Sequence, residues 1–452
     1  MSDSHARRAM LAIPVLCLIQ FVDVMGVTSA TTAIPAILIG LDAPQSAAGP
    51  LVTTYAVFFG GLLVVGARLG DRFGHRRILA LGVVGFALVS VIGGLAESLP
   101  QLLVARSVQG AAAAISVPCA LRLLLHVAPQ PAARRSALAA WSAAGAAAGA
   151  AGFVVGGVLV EGWGWPAVFW INAPLGSALA LALLLTVPRL RPDTAGTNLD
   201  LLGGILLIGA VMLAVAGAAS IEQSTSITLA ATLIVAAMLV AVAFGARMRR
   251  ASQPLISPAA FTSRNLRHGT LLSFVNTATT SSSAVLATLY LQGTLELSAV
   301  AAGLTLMTFS LLVVVGSAVA KPMLSRVSTH RVAGAGLGVI ALGNLALVIA
   351  GTTAAGIAIS LGLAGLGIGL ASVAATSLGT DVPERIAGSA SGILNTGAQL
   401  GTALGTAAIV AIAALSSNSV GWIVAAIGAA TTALWAGVPP HRPRIRREET
   451  TA

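Results

Sequence analysis

Charge is scarce in this sequence. Asp, Glu, Lys and Arg make up 9% of its 452 residues, where a soluble domain carries about 25%. So few charges cannot cover a water-facing surface of this size, which excludes a soluble enzyme and a nucleic-acid binder; 57% hydrophobic residues exclude a disordered chain. Cysteine is nearly absent. Cys17 and Cys119 both lie in apolar runs, unlike the cysteines of a disulfide framework, and read as small buried hydrophobes. The six histidines are scattered through tails and span ends, so neither a membrane-embedded enzyme nor a metal site is expected, and no cofactor. A G-x-x-x-x-G-K-S/T loop is missing, which argues against an ATP-driven pump.

Long apolar runs are what the chain has instead, with a mean hydropathy of +0.94. A bilayer-crossing helix needs about 20 mostly apolar residues. Cutting at charged and turn residues predicts fourteen spans, at 10–34, 50–70, 78–97, 100–126, 134–160, 167–187, 200–220, 226–246, 269–292, 298–320, 331–350, 353–379, 387–414 and 419–437. Arg7 and Arg8 before an apolar run resemble a secretory signal, but Asp23 interrupts that run, and the segment reads as the first span.

The bases alternate with these spans. Arg7 and Arg8 precede the first. Even-numbered spans are followed by Arg72, Arg76 and Arg77, by Arg134 and Arg135, by Arg189 and Arg191, by Arg247, Arg249, Arg250, Arg264 and Arg267, by Lys321, Arg326 and Arg331, by Arg385, and by the tail Arg442, Arg444, Arg446 and Arg447. The opposite loops hold no Lys or Arg, and five carry one acid each: Asp42, Glu97, Glu161, Glu222 and Glu296. Basic loops stay in the cytoplasm, which predicts a plasma (inner) membrane protein with both termini cytoplasmic. The net charge of +11 is then mostly a topological signal.

The second span ends in Gly66-Ala-Arg-Leu-Gly-Asp71-Arg72-Phe-Gly74-His75-Arg76-Arg77, and a degenerate echo with Gly316, Lys321, Arg326, His330 and Arg331 follows the tenth, 250 residues on from Asp71 to Lys321. Related six-helix halves with an inserted pair are the simplest reading. The predicted organisation is a first bundle over 1–190, two inserted spans and a linker over 191–263, a second bundle over 264–440 and a basic tail over 441–452.

These residues carry a resemblance. The loop Gly66–Arg77, the fourth-span segment Leu103-Val-Ala-Arg106-Ser-Val-Gln109-Gly110, the segment Trp165-Pro-Ala-Val-Phe169-Trp-Ile-Asn172-Ala-Pro174-Leu-Gly176, and the small residues Gly149, Gly152, Gly156 and Gly157 of the fifth span resemble motifs of the major facilitator superfamily, specifically its fourteen-helix drug:proton antiporter branch. Phe153 departs from the proline usual there. The resemblance implies an all-α major facilitator fold and proton-coupled export. It also implies that Gly66, Asp71, Arg72, Gly74, Arg76 and Arg77 form a cytoplasmic gate, holding the halves together inside when the cavity faces outward. The same loop also fits a purely topological basic turn, and the glycine series also fits simple helix packing.

Two ionisable residues sit well inside spans: Asp23 in the first and Arg106 in the fourth. Arg122, near a helix end, can snorkel. Each charge costs about 2.5–3.5 kcal/mol at a helix centre, so each needs a partner or a task. Proton coupling is one reading and local packing the other. Burial favours a neutral acid and a nearby guanidinium a carboxylate, so alternating hydration would load and release a proton. Gln20, Asp23 and Thr31 fall within about 80° of helix surface. Arg106, Gln109 and Gly110 share a face, as do Asn276, Thr280, Ser283 and Tyr290, and Asn395, Gln399, Thr402 and Thr406. These faces line a substrate cavity or pack between helices.

The expected activity is alternating-access, proton-coupled export of small amphipathic compounds by a monomer; the alternatives are proton-coupled uptake or facilitated transport. The partners expected are a small molecule, protons and lipid. A shortage of membrane-embedded acids points to neutral, anionic or at most singly charged substrates.

Overall fold

The computed structural model describes residues 3–188, 200–222, 227–252, 254–256 and 262–437. The expected bases Arg189 and Arg191 and the basic tail lie outside the described residues.

Among the described residues the chain forms fifteen α-helices: α1 (Asp3–Gly40), α2 (Ala48–Phe73), α3 (His75–Gly94), α4 (Leu99–Val127), α5 (Pro131–Trp163), α6 (Pro166–Trp170), α7 (Asn172–Thr186), α8 (Leu201–Glu222), α9 (Ile227–Arg250), α10 (Arg264–Gly293), α11 (Ala299–Leu324), α12 (Thr329–Ala350), α13 (Ala354–Thr380), α14 (Glu384–Leu415) and α15 (Asn418–Gly437). The short α6 and the longer α7 together make the sixth span, Pro166–Thr186. They part at Ile171, where Pro174 has no N–H to offer the Trp170 carbonyl. Fourteen spans therefore stand in the order expected, and the chain is a multi-pass membrane protein.

Thirteen spans are long and apolar enough to cross a bilayer by composition alone. The remaining one, α10, has the run Thr277-Ala-Thr-Thr-Ser-Ser-Ser283 at its middle, and the hydroxyls of Thr277, Thr279, Thr280, Ser282 and Ser283 bond back to carbonyls of the preceding turn. Those bonds hide the polar groups inside the helix. Several helices outrun their apolar segments; α5 has 33 residues, about 50 Å of helix against a hydrocarbon core of about 30 Å.

Local chemistry sets the helix ends. Ser263, Ser298 and Thr353 cap α10, α11 and α13 by accepting from Leu266, Ala301 and Gly356 N–H. Gly74, at φ +94°, turns the chain between α2 and α3 in a conformation costly for any other residue.

The pairing of the first six spans recurs in the last six. α1 packs on α5 as α10 on α14, α2 on α4 as α11 on α13, and α3 on α4 and α7 as α12 on α13 and α15. Two six-helix bundles result, and they meet along α2–α14 and α5–α11, contacts that are themselves related by the repeat. On the acidic-loop side one core takes side chains from both bundles, including Ile37, Leu51, Phe169, Leu291, Leu306 and Trp422. On the basic-loop side each bundle keeps its own core, around Leu16, Leu79 and Leu124 in the first and Leu272, Leu337 and Leu378 in the second. There the halves touch along α2 and α14, where α8 covers the seam.

The inserted pair thus has a place that the sequence left unreadable. α8 packs against both α2 and α14, whereas α9 packs on α8 and turns most of its surface outward. Asp200, with a side chain 1% exposed, joins the pair to its linker: its carboxylate accepts from Arg247 Nε at 3.0 Å, Leu255 N at 2.7 Å and Gly203 N at 3.3 Å. Arg68 of α2 donates to the Pro254 carbonyl at 2.9 Å.

Candidate functional site

The two charges singled out in the spans belong to one polar row, on either side of Tyr55. Tyr55 of α2 donates its hydroxyl to Asp23 Oδ1 at 2.8 Å, and the Arg106 guanidinium lies over the face of the same ring, 4.8 Å from its centroid. Arg106 also donates through Nε to the Leu51 carbonyl (3.2 Å) and through Nη1 to Gln109 Oε1 (3.1 Å). Gln109 passes the row on to Ser90 at 2.7 Å. Arg106 and Gln109, three apart on α4, share a face as the helix period requires, and both are buried. Gly110 lets α4 lie directly on the Tyr55 backbone, which brings the ring under the guanidinium. Among the described residues Arg247 pairs with Asp200 and His75 hydrogen-bonds to Asp71; Tyr55 contacts both Asp23 and Arg106.

Chemically, this row holds a carboxylate and a guanidinium apart while leaving both partnered. A tyrosine hydroxyl donates to the carboxylate, and the ring face attracts the cation. A cavity of about 30 Å³ adjoins Asp23, with Val83, Phe86, Ser116 and Leu179 in its wall. It has room for about one or two water molecules beside the acid. Tyr55 was missed in the sequence. It is one of two tyrosines in the chain, and a phenol in a buried span needs a polar partner, which was the signal available.

The remaining polar positions are placed as follows. Gln20 faces Gly145 of α5, with its buried Oε1 unpartnered among the described residues. Thr31 bonds to the Val27 carbonyl of its own helix. Asn276 donates to Ser372 at 2.7 Å, Thr280 bonds to the Asn276 carbonyl, and Ser283 reaches Asn344 at 2.5 Å. All three are buried in the second bundle. Thr402 lies 3.3 Å from Ser281, and Gln399 packs on Gly60 across the α2–α14 contact. Tyr290 stacks edge-on to Trp422 and lines a hollow of about 360 Å³ with Gln45 and Ser417. Asn395 lines a cavity of about 430 Å³ formed by α2, α4, α14 and the linker.

The loop after α2 is ordered from within the first bundle. A Cβ at Gly66 would strike the backbone of Ala114 and Ile115, so glycine fixes the α2–α4 approach. Asp71 meets His75 at 3.0 Å, Arg76 bonds to the Leu184 carbonyl of α7, Arg72 lies over Phe73, and Arg77 is exposed.

The α5 glycines divide between two neighbours. Gly152 and Gly156 lie against Met25, Thr28 and Ser29 of α1, whereas Gly149 and Gly157 lie against Ser310 and Ala299 of α11 in the other bundle. Gly303 answers from α11 by resting on the Phe153 carbonyl, which also accepts from Thr32 at 3.2 Å. The helix runs unbroken through Phe153. Near this crossing the bundles are tied by Glu161, which accepts from Val300 N at 2.7 Å, and by Gln292, which donates to the Thr32 carbonyl at 2.9 Å.

Paired six-helix bundles with cavities between them are the architecture of a membrane transporter. The profile of the Major Facilitator Superfamily matches residues 16–253 and 269–451, and the chain belongs to that family. It is similar to the tetracenomycin C resistance and export protein of Streptomyces glaucescens (32% identity over 386 residues, 84% of this chain and 72% of that protein). It is also similar to a cephamycin export protein of Amycolatopsis lactamdurans (31% over 422 residues, 90% and 86%). Among solved structures, a nucleoside transporter aligns with a TM-score of 0.69 over 95% of this chain and 98% of that one at 12% identity, and a POT family transporter with 0.70 over 94% of each at 13%. At such identities these structures speak for the fold.

Proposed function

We propose that the protein is a proton-coupled exporter of small amphipathic compounds, such as antibiotics or secondary metabolites, working as a monomer in the plasma membrane by alternating access. The basic loops and both termini face the cytoplasm, as loop charge requires. The two bundles, about 1–190 and 264–440, rock around the cavity between them. On this reading the shared core marks the closed outer side, and the separated cores flank the inner side, where the cavity of about 430 Å³ lies between the bundles.

The Asp23–Tyr55–Arg106 row carries the reading. An acid partnered indirectly to a buried base has two stable hydrogen-bonding arrangements. As carboxylate it accepts from Tyr55; once protonated it no longer holds that donor as strongly, and the row can rearrange. Protonation from outside and release inside then drive export. The Gly66–Arg77 loop acts as the inner gate in the opposite state; here Asp71 and Arg76 bond within the first bundle and Arg68 bonds to the linker. The resistance and export roles named for the relatives support the substrate class.

Efflux profiling of a sensitised host, followed by everted vesicles with an imposed acid-inside gradient, tests this. Export predicts raised drug tolerance and gradient-driven accumulation in the vesicles, both lost in Asp23→Asn. Gradient-driven depletion would assign uptake, and accumulation indifferent to the gradient would assign facilitated transport.

A further inference from the structure

The cavity of about 430 Å³ has the size of a drug-sized ligand site, and its charge is uneven. Its wall is mostly apolar, with Leu63, Val117 and Ile393 among the lining. Its charged members are Arg68, Asp71 and Arg122, two guanidiniums against one carboxylate. Asp71 is engaged by His75 at 3.0 Å, and Arg68 donates to the Pro254 carbonyl. Arg122 is exposed to the cavity and has no hydrogen bond or ion pair among the described residues. Asn395 and Ser391 face it from the second bundle, likewise without a hydrogen bond among the described residues. Snorkelling toward lipid headgroups would have left Arg122 on the outer surface of the bundle; instead it stands in the wall between the two halves.

We propose that this cavity is the entry site for amphipathic organic anions, with Arg122 as the charge contact and Asn395 and Ser391 as polar contacts from the opposite bundle, a proposal that rests on the export reading above. An apolar body fits the leucine- and valine-lined wall. A carboxylate, sulfonate or phenolate on it accepts charge-assisted hydrogen bonds from the guanidinium, the geometry for which arginine is suited. The site engages both halves at once, so occupancy bears on the movement between them. A cationic compound meets an uncompensated guanidinium and is disfavoured.

Three fluorescent probes separate the outcomes: anilinonaphthalenesulfonate, phenylnaphthylamine, which has the same rings without the sulfonate, and the cation ethidium. Binding is measured on the purified full chain and accumulation in everted vesicles. The expected result is that the wild type binds the sulfonate about tenfold more tightly than the amine, the equivalent of one charge-assisted hydrogen bond. Arg122→Gln should erase that preference while still transporting the amine, which shows that the variant is folded, and Arg122→Lys should restore part of it. An undiminished preference in Arg122→Gln, or tighter binding of ethidium than of the sulfonate, overturns the anion site. Arginine-dependent sulfonate binding without gradient-driven transport of any probe leaves the site standing and removes the export reading.

Discussion

Tyr55 donates to Asp23 across 2.8 Å and turns its ring face to Arg106, so one side chain contacts both membrane-embedded charges by different atoms. Phenylalanine would keep the ring and lose the hydroxyl. A hydrogen bond to a charged group contributes about 1.5–3 kcal/mol. Tyr55→Phe should therefore slow pH-gradient-driven export about tenfold or more with little change in expression, and adding it to Asp23→Asn should cost nothing further. A double variant clearly worse than Asp23→Asn alone would show that the hydroxyl acts independently of the acid.

Arg106 makes its contacts in a planar fork, to the Leu51 carbonyl and to Gln109, with Tyr55 beneath. A lysine ammonium supplies charge but not that geometry. Arg106→Lys should leave Gln109 or Leu51 without its partner in a buried site, at a cost of about 1–3 kcal/mol. A lower unfolding temperature in detergent and reduced export are the expected readings. Wild-type values for both would reduce the role of Arg106 to its charge.

Glu161 accepts from Val300 N at the first turn of α11, where a carboxylate is favoured by the exposed N–H groups and the helix dipole. Because Glu161 belongs to the first bundle and Val300 to the second, separation of the bundles on the acidic-loop side would break the contact. Glu161→Ala should weaken closure by about 0.5–1 kcal/mol, a few-fold shift in population. The thiol of Ile37→Cys, placed in the core shared by the bundles, should then react with an outside reagent a few times faster. Equal rates with and without Glu161 would remove it from the closure.

The span count was readable because two signals agree in this chain: apolar runs of bilayer length and bases confined to alternate loops. α10 tests that agreement. Its hydroxyl-rich middle lowers its hydropathy, yet Arg264 and Arg267 at its start and Glu296 beyond its end keep the alternation. Asp23 and Arg106 were legible because charge in an apolar run is rare. Tyr55 was not, because a phenol in such a run signals a polar partner without saying which, and its importance comes from lying between helices where it meets both Asp23 and Arg106. Arg122 was set aside for a related reason: distance from a helix end is visible in sequence, whereas the direction in which a side chain leaves the helix depends on the neighbours. The linker's attachment through Asp200 was hidden because it joins residues 47 and 55 positions apart.

Fastening and sliding are divided unequally around α8. Its linker is bonded to α2 through Arg68 and to Asp200 at the helix start, and Ile208 sits against Gly61 of α2. Among the described residues its contact with α14 is apolar packing, which can shear without breaking hydrogen bonds. The inserted pair is therefore expected to travel with the first bundle, with the slip plane on its α14 face. A disulfide between Gly61→Cys and Ile208→Cys should leave transport running, and arrest by that crosslink would move the slip plane to the α2 face. On this arrangement the extra helices would act as a greased bearing, keeping lipid out of the seam as the bundles move.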